Sequence, residues 1–551
     1  MSASLENRRL RSLTLIFILF FTIIFLRLIY IQVFEAGGLR ARAEKQRVKD
    51  IELLAKRGTI YDREGKELAV SVKKQTIFAT PYLIEKPVNT ATRISKILGL
   101  KRSEVYKKLI SGKGFIYLAR KADQSKADKI KALNIEGIGF IDEYKREYLF
   151  GVLASQVLGC VGIDNNGLSG IENEKDKVLR GKLGRLVFQQ DALGREIPGS
   201  TSFYRKPYSG KDVRLTIDTD IQFKTEEELR KIVKLWGAKS GQAIVVDTKT
   251  GEIYAMASMP DFNPNKLAKT TAEQMKNRPV VEIFEPGSTM KPMLASAAIE
   301  ERIFSPESMF NLPPSINVGG KMIGEAHDRA TVNYSLSDII VNSSNVGMSK
   351  IGLRMGKNLI SEYLHRYGFE EKTNIEYPGE ITGRIPSLDN FFGSTIATTC
   401  FGQGVSTTGI GLVRAYSALA NGGIMNDPYL VKREKTSSIK GKRIVSKKTA
   451  WEMTRILEKV VESGTGTTAK VPGYLIAGKT GTAQKSEGKK GYSGGKFISS
   501  FIGYGPAEDA SLIVLVSLDE PTKAIYGGVV AAPAFSAIME YSLSHLQISP
   551  R

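Results

Sequence analysis

Residues 13–26 form an apolar run without a single charge, and the run resumes at 28–34 after Arg27. A helix over the 22 residues 13–34 is roughly 33 Å long, enough to cross the hydrocarbon core of a bilayer. A stretch of this kind forces a three-part layout: a short N-terminal tail (1–11), one spanning helix (12–34) and a large polar remainder. Arg27 lies beyond the middle of the run, where a long side chain can snorkel to the interface. A cleaved signal peptide has a shorter apolar region. Arg8, Arg9 and Arg11 precede the span, while Arg40, Arg42, Lys45, Arg47 and Lys49 follow it. The positive-inside count therefore does not choose the orientation, although long C-terminal domains translocate regardless of flanking charge.

The whole chain has 551 residues, too many for one hydrophobic core, so at least two domains are expected. It has only two cysteines, Cys160 and Cys400, far apart in sequence. They fit neither a disulfide framework nor a metal cluster and read as two unpaired buried thiols. Three histidines (His327, His365 and His545) leave little room for a zinc site or a Ser-His-Asp triad and favour lysine as any catalytic base. The net charge of +22 is not accompanied by a stacking motif or a dense basic run, so no nucleic-acid partner is expected. Attraction to an anionic membrane surface or wall polymer suits that charge, as does a merely solvated basic surface.

Three short motifs carry the chemistry, in this order: Ser288-Thr-Met-Lys291, Ser343-Ser-Asn345 and Lys479-Thr-Gly481. Together they supply a hydroxyl nucleophile, a nearby amine base and groups that hold a carboxylate. Spelling alone decides nothing, because the chain holds competitors. Ser71 with Lys74, Ser437 with Lys440, Ser486 with Lys489 and Ser493 with Lys496 all match Ser-x-x-Lys; Ser315-Ile-Asn317 matches the second motif and Lys249-Thr-Gly251 the third. Context separates them. Ser288 follows Glu285-Pro-Gly and precedes Met290, Met293, Leu294, Ala297 and Ile299, a turn running into a helix with one apolar face. A spacing of three places Ser288 and Lys291 on the same face. Pro292 is tolerated there because it lies near the helix start. Ser71 sits in a strand-like segment, where residues three apart face opposite ways. Lys249-Thr-Gly251 lies between two apolar strands and reads as a hairpin turn. Lys479 follows Tyr474-Leu-Ile-Ala477 and precedes Thr482-Ala483, a strand whose small residues admit a substrate.

Along the chain, residues 58–70 read as two strands about a turn at 62–65. Helices near 91–98 and 103–110 and a strand at 115–119 follow, and residues 35–214 hold no plausible catalytic set. Leu215-Thr-Ile-Asp-Thr-Asp220 opens a new unit, 215–551. It runs through a helix at 221–233, a hairpin at 243–259, a mainly helical middle to about 419, strands at 474–483, 499–504 and 512–518, and a last helix at 533–546. Strands at both ends with helices between them predict an α+β fold, one antiparallel sheet covered by helices.

These stretches resemble the penicillin-binding proteins, class B in particular. The residues that carry the resemblance are Phe284-Glu-Pro-Gly-Ser-Thr-Met-Lys-Pro292, Ser343-Ser-Asn-Val-Gly347, Phe401-Gly-Gln-Gly404 and Gly478-Lys-Thr-Gly-Thr-Ala-Gln484, with Arg57-Gly-Thr-Ile-Tyr-Asp-Arg63 and Gly167-Leu-Ser-Gly-Ile-Glu172 nearer the N-terminus. The resemblance covers nearly the whole chain. It implies an anchor helix, an elongated mixed α/β pedestal of the dimerisation type (35–214) and a transpeptidase domain (215–551). The implied activity is that of a D,D-transpeptidase cross-linking peptidoglycan outside the cytoplasmic membrane, single-pass, without metal or cofactor. The Phe-Glu-Pro-Gly-Ser variant and the compact length are more like the septal, division-specific type than the elongation type. Ser344 stands where β-lactamases carry Asp in Ser-Asp-Asn.

The roles implied are these. Ser288 Oγ attacks the penultimate D-Ala carbonyl of a stem peptide, and Lys291, as a neutral amine, takes the proton. A free lysine is charged at pH 7, so its pKa must fall, and the helix N-terminus and Lys479 are expected to lower it. Ser343 relays the proton to the departing D-Ala amine, and Asn345 orients Lys291 and a substrate amide. The backbone N–H groups of Ser288 and Thr482 form the oxyanion hole, and Lys479, Thr480, Gly481 and Thr482 line the carboxylate site. β-Lactams acylate the same serine. Implied partners are peptidoglycan stem peptides, the cytoplasmic membrane, a polytopic glycan polymerase and divisome proteins. Two rivals share the fold: a β-lactam hydrolase, which needs a water-activating group for deacylation, and a non-catalytic sensor or scaffold.

Overall fold

The computed structural model describes residues 2–189, 197, 199–433, 441–485, 492 and 494–550; the competing Ser437, Ser486 and Ser493 fall outside them. Two compact units divide the chain. One comprises Met1–Arg57, Val72–Lys145 and Gly181–Gly210, the other Gly58–Ser71, Arg146–Arg180 and Lys211–Arg551.

In the first unit a helix over Ser2–Ile29 runs into a π turn, Tyr30–Phe34. Its apolar side chains are exposed, and the stretch Asn7–Phe34 is long and apolar enough to cross a membrane. That fits a single-pass anchor. The Arg27 guanidinium lies over the Tyr30 ring, 5.2 Å from its centroid. Val48–Leu53 pairs antiparallel with Gly184–Gln189, which pairs in turn with Phe203–Arg205. Elsewhere in this unit the helices Pro87–Leu98, Arg102–Leu109 and Gln124–Lys131 pack with the strand Ile116–Ala122 around Ile77, Ile94, Leu109, Leu118 and Ile130. The first of these helices buries Ala91, Ile94 and Leu98 at helical spacing, starts on Pro87 and stops at Gly99 in the left-handed conformation.

The second unit is built on a five-stranded antiparallel sheet. Its strands are β1 (Ser240–Asp247), β2 (Ile253–Met259), β3 (Ala477–Gln484), β4 (Phe497–Gly505) and β5 (Leu512–Asp519), in spatial order β2-β1-β5-β4-β3. Both faces are covered, so β2 and β5 read as near-continuous apolar runs rather than alternating ones. The period-two rule still sorts them. Val245, Val514 and Val516 pack with the helices α1 (Thr219–Trp236) and α5 (Ala532–His545), while Ile244, Val246, Ile513 and Leu515 join the opposite core with α2 (Lys291–Glu300), α3 (Asn345–Arg366) and α4 (Lys447–Glu462). Asp218 caps α1 by accepting from the Asp220 and Ile221 amides. Segments far apart in the linear chain thus share one sheet, whose β1 and β5 are neighbours at Val516↔Ala243.

The hairpin expected at 243–259 is present. Its turn is the competing Lys249-Thr-Gly251, where Asp247 Oδ1 accepts from the Lys249 and Thr250 amides and Gly251 takes φ +80°. The turn at 62–65 also forms, with Asp62 Oδ1 accepting from the Glu64 and Lys66 amides. The middle of the unit departs from a mainly helical reading. Four short strands, Met309–Leu312, Ser315–Val318, Lys321–Gly324 and Val332–Ser335, form two antiparallel pairs. Four-residue polar strands carry too few periods to be read from sequence, and the competing Ser315-Ile-Asn317 lies in one of them. β3 starts at Ala477, later than expected, because Tyr474 bridges to Val471 and its hydroxyl donates to the Ile548 carbonyl (2.6 Å). Cys160 and Cys400 are free and buried; burial pushes the Cys400 thiol up to about 12.

Arg146 joins two of the N-terminal motif segments inside the second unit. Its Nε donates to Glu172 at 2.6 Å and one terminal nitrogen donates to the Gly58 carbonyl at 2.7 Å, with both charged side chains almost fully buried. A buried pair of this kind is costly to break, because the remaining charge stays desolvated. Glu172→Ala should destabilise the second unit by about 3–5 kcal/mol. A lowered unfolding midpoint of the detergent-solubilised protein checks this, and an unchanged midpoint would remove the pair from the architecture.

Candidate functional site

The first motif does not begin inside an α-helix. Gly287–Met290 forms a 3₁₀ turn that passes directly into α2, with Pro292 in its first turn. In a 3₁₀ turn residues three apart eclipse one another, so Ser288 and Lys291 lie on the same side of the chain. Ser288 is half-buried, between the fully buried Thr289, Met290 and Lys291 and the buried Pro286 and Gly287. The turn is held from two sides by backbone approaches that only glycine permits. Gly287, at φ +55°, donates its amide to the Gly402 carbonyl (3.1 Å), and a Cβ on Gly402 would strike the Gly287 carbonyl oxygen. The Gly404 amide donates to Glu285 Oε1 (3.1 Å), and the Tyr492 hydroxyl donates to the same carboxylate at 2.9 Å. Phe401-Gly-Gln-Gly404 is therefore the clamp of the Ser288 turn.

The third motif lies on β3, an edge strand of the sheet. Its unpaired side faces the Ser288 turn. A Cβ at Gly481 would sit 2.9 Å from the Thr289 methyl, and one at Gly287 would sit 3.0 Å from the Ala483 Cβ. The Thr480 hydroxyl pairs with that of Thr465 (2.9 Å), and the Thr482 hydroxyl accepts from the Gly527 amide (3.2 Å), leaving its proton free to donate. Lys479 is fully buried; its Nζ reaches the Thr480 hydroxyl at 3.3 Å. Desolvation, followed by repulsion from Lys291, holds its pKa well below the ordinary lysine value.

The second motif joins two helices, Leu336–Val341 and α3. Ser343 occupies the left-handed region at φ +58°, an unusual conformation for a serine, and Ser344 caps α3 by accepting from the Gly347 amide (2.9 Å). The αL kink turns the Ser343 carbonyl and hydroxyl toward Lys291. Lys291 Nζ donates to the Ser343 carbonyl and to Asn345 Oδ1 (2.8 Å), and lies 3.2 Å from Ser343 Oγ. Asn345 Nδ2 donates to the Gly324 carbonyl (3.3 Å), which fixes the orientation of the amide.

Burial is what depresses Lys291, to about 7, while the nearby Glu325 carboxylate opposes the drop. The sequence reading expected a helix N-terminus and Lys479 to lower it; desolvation is the larger effect, and the repulsion between the two amines falls on Lys479. A neutral amine has two N–H donors and one lone pair. Ser343 carbonyl and Asn345 Oδ1 can only accept, so they use both donors. The lone pair is left for a hydroxyl, and Ser343 Oγ already stands within reach of it. Ser288 Oγ is not hydrogen-bonded to Lys291 in this structure.

Sequence reasoning missed Glu325, which follows the short strand Lys321–Gly324. Its carboxylate accepts from the Ser344 hydroxyl (2.5 Å) and the Asn345 amide (2.6 Å). No motif flagged it, since a lone acidic residue after a four-residue strand carries no pattern. Among the described residues Asp218, Asp220 and His545 bring ligand atoms within 4.8 Å of one another. Asp218 is committed to capping α1, Arg63 lies 3.8 Å from it and Lys66 binds Asp220 at 2.8 Å, so that negative charge is already balanced and the cluster is a poor cation site.

Comparison with known proteins identifies the family. The family described as penicillin binding protein transpeptidase domain matches residues 241–540, and the penicillin-binding protein dimerisation domain matches 52–215. Stage V sporulation protein D of Bacillus subtilis is 35% identical over 99% of this chain and 87% of its own length. The probable peptidoglycan D,D-transpeptidase PbpC of Pseudomonas aeruginosa is 33% identical, covering 100% and 97%, and the peptidoglycan D,D-transpeptidase FtsI of Buchnera aphidicola is 32% identical, covering 99% and 96%. Among solved structures, penicillin-binding protein 3 of Mycobacterium tuberculosis in complex with aztreonam superposes with a TM-score of 0.72 at 28% identity, over 91% of this chain and 98% of that one. Penicillin-binding protein 2X of Streptococcus thermophilus gives 0.76 at 26% identity, over 90% and 80%.

An amine that titrates near 7 is protonated, and useless as a base, in acid. Acylation of Ser288 by an activated acyl thioester should rise about tenfold per pH unit up to a midpoint of about 7 and level off above it. Pre-steady-state acylation rates across pH check this, and a flat profile would rule out Lys291 as the titrating group.

Proposed function

The chain belongs to the class B penicillin-binding proteins and is a peptidoglycan D,D-transpeptidase, and from that premise we propose that Ser288 is its nucleophile, Lys291 its base, and Ser343 with Asn345 its proton relay and orienting amide. One observation supports this more than any other: Lys291 Nζ is fully buried and donates to the Ser343 carbonyl and Asn345 Oδ1, three residues after the half-buried Ser288.

In this mechanism the stem peptide lies antiparallel along the free edge of β3. Its terminal carboxylate is held by Thr480, Thr482 and Lys479 through charge-assisted hydrogen bonds, with Gly481 leaving room for the backbone. The penultimate D-Ala carbonyl then faces the amides of Ser288 and Thr482. Ser288 is the second residue of its turn, where a backbone N–H has no intrahelical acceptor and is free to bind an oxyanion. Ser288 Oγ bonds to the carbonyl carbon as its proton passes to the Lys291 lone pair. The tetrahedral intermediate collapses with cleavage of the peptide C–N bond, and the proton returns through Ser343 Oγ to the leaving amine of D-Ala. An amine of a neighbouring stem peptide repeats the sequence in reverse, restoring Ser288. A β-lactam carbonyl enters the same oxyanion hole and leaves a stable acyl-enzyme.

The large domain works outside the cytoplasmic membrane in this reading, and the anchor and the pedestal bind a polytopic glycan polymerase. Septal duty is supported by the Phe284-Glu-Pro-Gly-Ser288 variant and the compact chain length. The likeness to a sporulation protein favours a second reading, wall synthesis in a developing spore.

Fluorescent penicillin should label the wild-type protein and fail to label Ser288→Ala; labelling that survives the substitution removes Ser288 as the nucleophile. A fluorescent fusion should concentrate at the division site, and a dispersed lateral signal would reject the septal role.

A further inference from the structure

The middle motif lacks the carboxylate that Ser-Asp-Asn carries between its serine and its asparagine. The structure holds a carboxylate at that place, brought from another segment. We propose that Glu325, braced by Arg329, is the positioning residue that replaces this missing acid and holds Ser343-Ser344-Asn345 against Lys291. The inference rests on the assignment of Lys291 as the base.

Glu325 uses its two oxygens on two consecutive residues of the motif. Oε1 accepts from the Ser344 hydroxyl at 2.5 Å and Oε2 from the Asn345 amide at 2.6 Å. The Asn345 side chain adds a third tie to the same strand end, donating to the Gly324 carbonyl at 3.3 Å. The Glu325 side chain is 8% exposed, and a buried carboxylate needs a countercharge. Arg329 supplies it, with its guanidinium 2.5 Å from Oε1. Arg329 is itself fixed, because it also donates to the Leu312 carbonyl (2.8 Å) and the Ala330 carbonyl (2.9 Å). The short strands unforeseen by the sequence thus form a bracket whose tip is Glu325.

Two consequences follow for the site. The bracket keeps Ser343 in its left-handed conformation, which a non-glycine residue holds only where the surroundings impose it. The carboxylate also acts on Lys291 through space. The charged groups facing Lys291 are Glu325 behind the second motif, which favours its protonated form, and Lys479 on β3, which shares the repulsion between two amines; Arg329 faces it only through Glu325. Glu325 is neither in contact with the reacting atoms nor a proton donor in the mechanism.

The test uses the full-length protein in detergent and the acylation rate of a fluorescent penicillin as a function of pH. Glu325→Gln should lower the high-pH plateau roughly ten- to a hundredfold, the range expected when a buried charged partner is lost, and should move the midpoint to lower pH. Ser344→Asp keeps a good helix cap but sets two carboxylates against each other, and should also be slow. Combining Ser344→Asp with Glu325→Ser moves the acid back into the motif and should recover most of the rate lost by Glu325→Ser alone. An unmoved midpoint in Glu325→Gln, a Ser344→Asp variant as fast as wild type, or a double variant no faster than Glu325→Ser would each overturn the inference. Should Glu325→Gln fail to fold, the Ser344→Asp pair decides alone. Wild-type labelling that ignores Ser288→Ala would instead overturn the mechanism on which the inference depends.

Discussion

A lysine amine taken out of water carries the rest of this site. Lys291 is fully buried, and its desolvation is what makes an uncharged amine available near neutral pH. Everything around it answers to that burial. Ser343 and Asn345 accept hydrogen bonds from it, the carboxylate of Glu325 limits how far its pKa falls, and Lys479 takes the repulsion that two neighbouring ammonium groups would share. An ammonium in the same place would occupy the lone pair that the nucleophile needs.

The second constraint is the distance at which backbones meet. The Ser288 turn and the edge strand of the sheet come together at Gly287 and Gly481, and the turn is backed by Gly402. Gly402 and Gly481 leave no space for a Cβ, and Gly287 is held at φ +55°. The arrangement places the serine hydroxyl beside an unpaired strand edge, which is the surface an extended peptide can join. Helices cover both faces of the sheet, and β3 is held along its inner edge by pairing with β4 from Ala477 to Gln484.

Much of the site was legible from residue order. Ser288 with Lys291, and Lys479 to Thr482, were separable from their look-alikes by local context, and the structure puts Lys249-Thr-Gly251 in a turn and Ser315-Ile-Asn317 in a strand of the bracket. The hairpin at 243–259, the terminal helix and the three C-terminal strands were legible too, because long apolar runs bounded by turn residues leave few alternatives. The 3₁₀ start of α2, the αL conformation of Ser343 and the bracket over 309–335 were not. Each depends on contacts with residues distant in sequence, and none leaves a periodic trace.

The sequence by itself determined that an apolar helix precedes a serine with a lysine three residues on and a Lys-Thr-Gly strand, a set that suits acyl-transfer chemistry. Those are local facts, written in spacing and hydrophobic pattern. Only the tertiary structure decided that Lys291 is dry, that Arg146 is buried with Glu172, and that Glu325 stands where the motif has no acid of its own. Burial and charge compensation are sums over neighbours from many parts of the chain, so no window of residues contains them.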